Sequence, residues 1–294
     1  MLTFLQVLVA GLLTGSLYGL LSSGLSLSFG VTRIVNFAHG DFVTVGMYTT
    51  VLAVTAFGSF GLLLLPVVAL IVGALGMGMF VLLLSRTAVS GASELEIHIP
   101  QIVITAAASV FIQSLLLFLL SSRERTAKTP LAGSLRLGEV SLPYAQLAAF
   151  VVGSLVFVIL DRLVRKSEFG RALRAVVDDG DAAAIVGINS NRIFAASFLV
   201  GTAMAGLVGG LLVTYQPVTP TTGANYLALA FVTVILGGLG SIRGSFIAGI
   251  IIGVVQQVTA TYVALDLKNE AVWLAFIVIL LVRPQGLFGK KVMR

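Results

Sequence analysis

The chain alternates long apolar runs with short polar connections over almost its whole length. The apolar runs lie at about 4–30, 41–57, 61–84, 101–120, 144–160, 193–213, 226–238, 245–263 and 271–283. A membrane-spanning helix needs about 20 predominantly apolar residues. The first run is long and the runs at 226–238 and 271–283 are short, which leaves the number of spans between eight and ten. The pattern therefore predicts an all-α polytopic membrane protein in which some helices are short or broken.

Composition supports this class and leaves little room for another. Of the 294 residues, 58% are hydrophobic and 10% are charged, and the mean hydropathy is +1.08, whereas a soluble domain is about one quarter charged. We therefore predict one transmembrane domain over 1–294 without a separate soluble catalytic domain. The chain has no cysteine and only two isolated histidines, His39 and His98, so we predict no metal site and no enzyme activity.

One strongly polar segment, 161–192, interrupts the apolar pattern and holds 11 of the 30 charged side chains. Apolar residues within it recur at helical spacing, which predicts an amphipathic surface helix: Leu163, Phe169, Leu173, Val176 and Val177. We expect Asp181 to cap a second short helix over 182–186 and Gly187 to end it. The segment is either a solvated loop that follows the positive-inside rule or a docking face for a soluble partner.

The distribution of Lys and Arg predicts which connections face the cytoplasm. The polar segment carries six of these cations, and the C-terminal tail carries four, at Arg283, Lys290, Lys291 and Arg294. Both are therefore predicted to lie inside, and counting back along the spans places 121–143 and the N-terminus outside. Four cations within 121–143 oppose this placement.

A second polar cluster lies between the first two apolar runs. It follows a helix face of small residues, three and four apart, which predicts close packing against another helix: Ser16, Gly19, Ser23, Ser26 and Gly30. The cluster itself comprises Asn36, His39, Gly40 and Asp41. It forms either an interfacial turn, in which Asn36 and Asp41 cap helix ends, or a helix break at membrane depth of the kind that transporters use.

A glycine-rich segment, 237–249, contains five glycines around a single Arg243. Such a turn suggests a phosphate-binding loop, but the Lys-Ser/Thr pair of that loop does not follow, so we predict no nucleotide site. The sequence His39-Gly40-Asp41-Phe42 resembles Arg243-Gly244-Ser245-Phe246, and each opens an apolar run. This likeness suggests a duplicated pair of helix breaks.

Four smaller features predict local structure. Pro100 is placed to begin a helix, and Gln113, inside the fourth apolar run, requires a partner on another helix. Residues 135–142 alternate weakly and predict either a short hairpin or an irregular cover in the outer loop. A small-residue face in the sixth run predicts helix packing: Gly201, Ala205, Gly209 and Gly210.

Three motifs, in this order, resemble the permease subunits of bacterial ABC importers of the branched-chain (high-affinity hydrophobic) amino acid type. The first is Gly24-Leu25-Ser26-Leu27 and Phe29-Gly30, followed by the run from Arg33 to Asp41. The second, in the polar segment, combines Gly-Arg-Ala-x-Arg-Ala, an acidic turn, alanines and Gly-Ile. The third is Gly-Gly-x-Gly-Ser-x-x-Gly in the glycine-rich segment.

The resemblance implies a role for each motif. It implies that the substrate pathway, or a helix break within it, includes Asn36, His39, Gly40 and Asp41. It implies that an ATPase-coupling segment, at about 161–192, includes Gly170, Arg171, Arg174, Asp178, Asp179, Ala183 and Gly187. It implies a glycine-rich signature that comprises Gly237, Gly238, Gly240, Ser241 and Gly244.

The resemblance also implies an assembly in the bacterial cytoplasmic (inner) membrane. Its partners would be membrane lipid, a second homologous permease subunit, two cytoplasmic ATPase subunits and a periplasmic or extracellular substrate-binding protein, with no nucleic acid. ATP and Mg²⁺ would be bound by the ATPases, with no cofactor in this chain. Branched-chain or hydrophobic amino acids are the implied substrates; urea, amides and other small solutes remain open. A stand-alone secondary transporter or channel is disfavoured, because no ionisable residue lies at the centre of a clear span.

Overall fold

The computed structural model describes residues 2–87, 94–127, 129, 131, 133–137, 140–283 and 285–288. Three of the cations predicted to lie inside, Lys290, Lys291 and Arg294, are outside the described residues, and so are a few positions of the 121–143 loop.

The described chain is almost entirely helical. The helices are α1 Leu2–Thr32, α2 His39–Phe57, α3 Leu65–Met79, α4 Glu94–Leu120, α5 Tyr144–Lys166, α6 Glu168–Asp178, α7 Gly180–Ile185, α8 Ser190–Leu212, α9 Thr222–Gly237, α10 Ile242–Tyr262 and α11 Lys268–Val282. Short 3-10 segments join α2 to α3 and α10 to α11, at Gly58–Leu64 and Leu265–Leu267, and a π-helical segment, Phe80–Leu84, follows α3. The predicted hairpin is confirmed as an antiparallel pair of strands, β1 Ser134–Leu137 and β2 Val140–Pro143.

All nine apolar runs are helical, which confirms the polytopic α-helical class. Within the described residues, six helical stretches are long and apolar enough to cross a membrane: Phe4–Thr32, His39–Leu84, His98–Leu120, Tyr144–Lys166, Ser190–Leu212 and Ile242–Tyr262. The second of these contains both α2 and α3. The long first run is one uninterrupted helix of 31 residues, whereas α9 and α11 have only 16 and 15 residues.

Close approach of backbones holds the centre of the bundle together. Gly19 of α1 lies directly against the Phe246 backbone of α10, and Gly24 of α1 lies against Gly201 of α8. In lipid, helices associate largely through such packing, because apolar side chains gain little by leaving the hydrocarbon for another helix. Both small-residue faces are therefore confirmed as packing surfaces, and the α8 face is buried throughout: Gly201, Ala205, Gly209 and Gly210.

Contacts between α1 and α5 show that these two helices cross the bundle in the same direction. The hairpin residue Leu142, just before α5, packs with Leu13 near the start of α1, and Leu160 near the end of α5 packs with Leu27. α1 and α5 are therefore parallel. The connection that carries α6 and α7 thus lies at the end of the bundle where α1 finishes, opposite the hairpin. The Lys and Arg distribution likewise predicts that 161–192 and the hairpin lie on opposite sides.

One predicted helix start is wrong. Pro100 lies inside α4, which already begins at Glu94. A proline removes one helical hydrogen bond, and neighbouring groups in a membrane bundle compensate for it. Gln101, the next residue, donates from Nε2 to Thr87 Oγ1 at 3.1 Å, which ties this end of α4 to the chain before it.

Candidate functional site

The first part of the candidate site is the break between α1 and α2. α1 ends at Thr32, and Arg33 has a φ of 54°, a left-handed conformation that is uncommon for a residue other than glycine. Thr32 supports the turn, because its Oγ1 accepts a hydrogen bond from the Ile34 amide at 3.2 Å. The chain thereby reverses and re-enters the bundle.

The first turn of α2 lies deep inside the bundle. His39 begins the helix and is fully buried, and its imidazole lies near the Leu21 backbone carbonyl of α1 without hydrogen-bonding geometry. Leu21 precedes the end of α1 by eleven residues, which is about 16 Å along a helix that rises 1.5 Å per residue. The start of α2 is therefore at depth, so the structure favours a break within the membrane over an interfacial turn.

Two ionisable side chains lie at this depth. His39 and Asp41 are 0% and 2% exposed. Both lie in the first turn of α2, so the expectation that no ionisable residue lies at the centre of a clear span stays a prediction, but the interior of the bundle does hold ionisable groups. Hydropathy locates the helix α2, but it does not reveal how far into the bundle the first turn of that helix reaches.

Several polar groups at the break are buried without a protein hydrogen-bond partner among the described residues. They are both ring nitrogens of His39, the Asn36 Nδ2 and the Thr44 Oγ1. Leaving a buried polar group unpaired costs about 1–3 kcal/mol. Stability alone is therefore a poor reason for this cluster.

Neither Asn36 nor Asp41 caps α2. The Asn36 Oδ1 accepts a hydrogen bond from the Ala38 amide at 3.0 Å, which closes a tight turn just before the helix. Asp41 lies in the first turn, where the helix dipole favours a negative charge, but no side chain caps this end of α2. The capping roles considered from the sequence are wrong for both residues.

Asp41 instead links α2 to α4. Its Oδ1 accepts a hydrogen bond from the Gln113 Nε2 at 3.0 Å, and the same nitrogen donates to Ser109 Oγ at 3.2 Å. Gln113 thus has the interhelical partner that its position requires. Thr105 Oγ1 donates to the Val35 carbonyl at 3.2 Å, so α4 holds the break at two points.

The start of α2 also touches the start of α9. A methyl group on Gly40 would overlap the Gly223 carbonyl, and one on Gly223 would overlap the Gly40 carbonyl. Phe37 and Phe231 pack beside this crossing, with ring centroids 5.9 Å apart. Sequence reasoning missed Gly223, because the uncharged segment 215–225 reads as an ordinary loop. The available signal is a Thr-Thr-Gly triplet just before an apolar run.

The second part of the candidate site is the pair of helices α6 and α7, which confirms the two short helices predicted in the polar segment. Ser167 caps α6, since its Oγ accepts a hydrogen bond from the Gly170 amide at 3.1 Å. Gly170 lies against the Val164 carbonyl, where no side chain would fit. Of the predicted apolar stripe, Leu173 and Val176 are buried, whereas Val177 is 42% exposed. α6 is therefore fixed firmly to the end of α5.

The two arginines of α6 have different environments. Arg174 donates from Nη1 to the Val164 carbonyl at 2.7 Å, so it ties α6 to α5 within this chain. Arg171 is exposed; its Nη2 lies 3.6 Å from the carboxylate of Glu168, one turn earlier, and its Nη1 makes only a long hydrogen bond, 3.5 Å, to the Lys166 carbonyl. The predicted common role in partner binding therefore suits Arg171 better than Arg174.

Asp179, rather than Asp181, caps α7. Its Oδ1 accepts hydrogen bonds from the amides of Asp181 and Ala182 at 3.0 and 2.9 Å. The prediction fails because α6 continues to Asp178, which makes Asp179 the residue with the extended backbone that an N-cap requires. Gly187 follows α7 as predicted, with a φ of 86° that favours glycine.

α7 buries one predicted coupling residue and exposes two residues that were not predicted. Ala183 is only 3% exposed, so it packs toward the bundle instead of facing outward. Ile185 and Val186 are 87% and 74% exposed. They give an otherwise polar segment an apolar tip. Their signal in the sequence is two branched aliphatic residues directly before Gly187.

The third part is the glycine-rich joint between α9 and α10. Gly238 and Gly240 have φ values of 93° and 80°, which other residues rarely adopt. Ser241 caps α10, since its Oγ accepts a hydrogen bond from the Gly244 amide at 3.1 Å. Gly237 and Gly244 pack backbone against backbone. The signature therefore sets the geometry of the turn from α9 into α10.

The two similar tetrads occupy comparable places. Gly40 lies in the first turn of α2 and Gly244 in the first turn of α10. Each touches α9, at Gly223 and Gly237, one near either end of that helix. α9 is thus held between the starts of two other helices.

Comparison with known proteins identifies the family. A family profile described as a branched-chain amino acid transport system / permease component matches residues 7–283. The chain belongs to this family. Together with the six long apolar helices, this makes it a multi-pass protein of the bacterial inner membrane. The match spans all three parts of the candidate site but assigns no role to individual residues, so the site roles stay predictions.

Relatives are similar along nearly the whole chain. The high-affinity branched-chain amino acid transport system permease protein BraD of Pseudomonas aeruginosa is 31% identical over 299 residues, which cover 98% of this chain and 96% of BraD. The corresponding LivH protein of Escherichia coli K12 is 30% identical over 301 residues, with the same two coverages. A probable LivH permease of Methanocaldococcus jannaschii is 28% identical over 296 residues, 97% of this chain and 92% of that protein.

Proposed function

We propose that this chain is the permease subunit of an ABC importer that moves branched-chain or hydrophobic amino acids inward by ATP-driven alternating access. BraD and LivH are named as branched-chain amino acid permeases, and their similarity covers the whole bundle. Two cytoplasmic ATPase subunits supply the energy, a second homologous permease subunit completes the membrane part, and an external binding protein delivers the solute.

The α6–α7 pair is the observation that carries this proposal. Gly170 and Arg174 fix the pair to α5, while Arg171, Ile185 and Val186 face outward. A rigid attachment transmits force from a soluble partner into a membrane helix, which a flexible solvated loop does not do. The attachment therefore supports the docking interpretation of this segment.

In this proposal, the break before α2 is the part of the bundle that moves when force reaches it from α6 and α7. A shift of α9 relative to α2 would separate Gly40 from Gly223 and open the space beside His39 and Asn36. A zwitterionic solute needs hydrogen-bonding partners inside a membrane, since bare apolar walls would leave its charges unsatisfied. The unpaired groups at the break would provide such partners in an open state.

A second candidate function deserves a test because of His39 and Asp41. Buried ionisable residues inside a bundle are what an ion-coupled secondary transporter requires. Within the importer family, urea, amides or other small solutes are also possible cargoes, because delivery by the binding protein sets the choice of solute.

Uptake by the complete complex in proteoliposomes distinguishes these candidates. With ATP inside, labelled leucine and the binding protein outside, we expect uptake that a protonophore does not abolish. Omission of the ATPase subunits should abolish it. Uptake that persists without ATPase and collapses with the protonophore would support the secondary transporter instead. Competition by unlabelled isoleucine, urea and acetamide ranks the possible cargoes.

A further inference from the structure

A bidentate ion pair joins the glycine-rich joint to the end of α5. Arg243, the second residue of α10, donates from Nε to Asp161 Oδ1 at 2.7 Å and from Nη2 to Oδ2 at 2.8 Å. The Asp161 side chain is 17% exposed and that of Arg243 57%. This planar, two-point arrangement is specific to arginine, because the single ammonium group of lysine does not reproduce it.

A second contact joins the same two helices one turn further into the membrane. The rings of Phe157 on α5 and Phe246 on α10 are stacked, with centroids 3.7 Å apart and planes 12° apart. The ion pair and the stacked rings together hold the first turns of α10 to the last turns of α5.

This contact lies between the two regions that move in the proposed function. On one side, Arg174 and Gly170 fix α6 to α5 only three residues after Asp161, at Val164. On the other side, Gly244 packs on Gly237 at the end of α9. α9 in turn reaches the break at its other end.

We propose that Asp161 and Arg243 are positioning residues that transmit movement of the α6–α7 pair from α5 to α10, and through α10 to α9 and the break. This inference rests on the proposed function and extends it to a named connection. The bidentate pair, with its largely buried carboxylate, also stabilises the packing of α5 against α10, so the test of the inference is uptake per ATP hydrolysed in assembled complexes, which a purely stabilising contact would leave unchanged. A two-point link between helices that must move together explains both its geometry and its position.

Single and exchanged variants test the link in the reconstituted complex. Asp161→Asn and Arg243→Gln should keep ATPase attachment and ATP hydrolysis, while uptake per ATP hydrolysed falls about fivefold, within the range by which residues along a coupling network act. The exchange Asp161→Arg with Arg243→Asp should restore most of the uptake per ATP. Arg243→Lys should retain only part of the wild-type uptake per ATP, because lysine keeps the charge but lacks the second hydrogen bond to Asp161.

Arg162→Gln is the matched control, because it removes one exposed cation beside Asp161 and leaves the pair intact. Unchanged uptake per ATP in both single variants would overturn the inference. So would a loss that the exchange does not repair, or a loss of ATPase attachment, which would assign the two residues to docking. A wild-type complex without ATP-dependent uptake would instead show that the proposed function itself is wrong.

Discussion

Gly40 and Gly223 place the first turns of α2 and α9 in direct backbone contact inside the bundle. From this contact α9 runs to Gly237, where it meets the first turn of α10. One helix of 16 residues therefore connects the buried break to the glycine-rich joint beside the projecting helices α6 and α7. Movement of α6 and α7 therefore has a short physical route to the break.

Adding a methyl group at the α2–α9 contact should impair transport. Gly40→Ala and Gly223→Ala each force the two backbones apart, and overpacking of this kind typically costs about 1–3 kcal/mol. We expect strongly reduced uptake in proteoliposomes, with a modest fall in the melting temperature of the purified complex.

Gly78→Ala is the control for this prediction. Gly78 lies in α3, and a methyl group there meets no atom within 4 Å. It should transport normally and gain slightly in helix stability. Normal uptake by Gly40→Ala and Gly223→Ala as well would show that the contact tolerates separation and does not control the break.

The polar residues of the break should matter more for transport than for assembly. Asn36→Ala, His39→Ala and Asp41→Ala each remove a side chain that is at most 2% exposed. The complex should still assemble, because α2 retains its packing against α8 and α9, but uptake should fall. Size-exclusion chromatography measures assembly and proteoliposome uptake measures transport. Normal uptake in all three variants would show that these residues only form a local turn and have no role in transport.

The sequence predicts the helices of this protein well because hydropathy is a local property. It also predicts that Gln113 needs a partner, since an amide inside an apolar run is costly when unpaired. It does not predict that the partner is Asp41, nor that α2 starts beside Leu21, because depth depends on how α1, α2 and α9 pack. The sequence does not show that Gly40 and Gly223 meet, because that contact depends on the positions of both helices.

In the α6–α7 region, too, some features follow from the sequence and others depend on packing. The apolar stripe and the end at Gly187 follow from residue spacing and from the conformational freedom of glycine. The choice between Asp179 and Asp181 as cap depends on where α6 stops, at Asp178, which residue spacing alone does not determine. Ala183 resembles its alanine neighbours in sequence, and only packing distinguishes the buried one.

Arg171 and Arg174 should have separable effects. Arg174→Ala removes the hydrogen bond to the Val164 carbonyl, which is worth about 0.5–1.5 kcal/mol, so amide hydrogen exchange in α6 should become faster. Arg171→Ala should leave this exchange unchanged and weaken ATPase attachment, because its side chain faces outward. Arg165→Ala, a third exposed cation nearby, is the control. Equal effects of both variants on attachment and on exchange would contradict the division of roles.

Cysteine cross-linking tests the central claim, ATPase docking on α6 and α7, most directly. The chain contains no cysteine, so Ala182→Cys and Val186→Cys each create a single thiol at an exposed position, and Val263→Cys, 69% exposed after α10, is the control for the opposite face. In the assembled complex, the first two variants should cross-link to an ATPase subunit and react with an impermeant maleimide only from the cytoplasmic side. Val263→Cys should react only from the outside. Labelling of Ala182→Cys and Val186→Cys only from the outside, without an ATPase cross-link, would contradict the account.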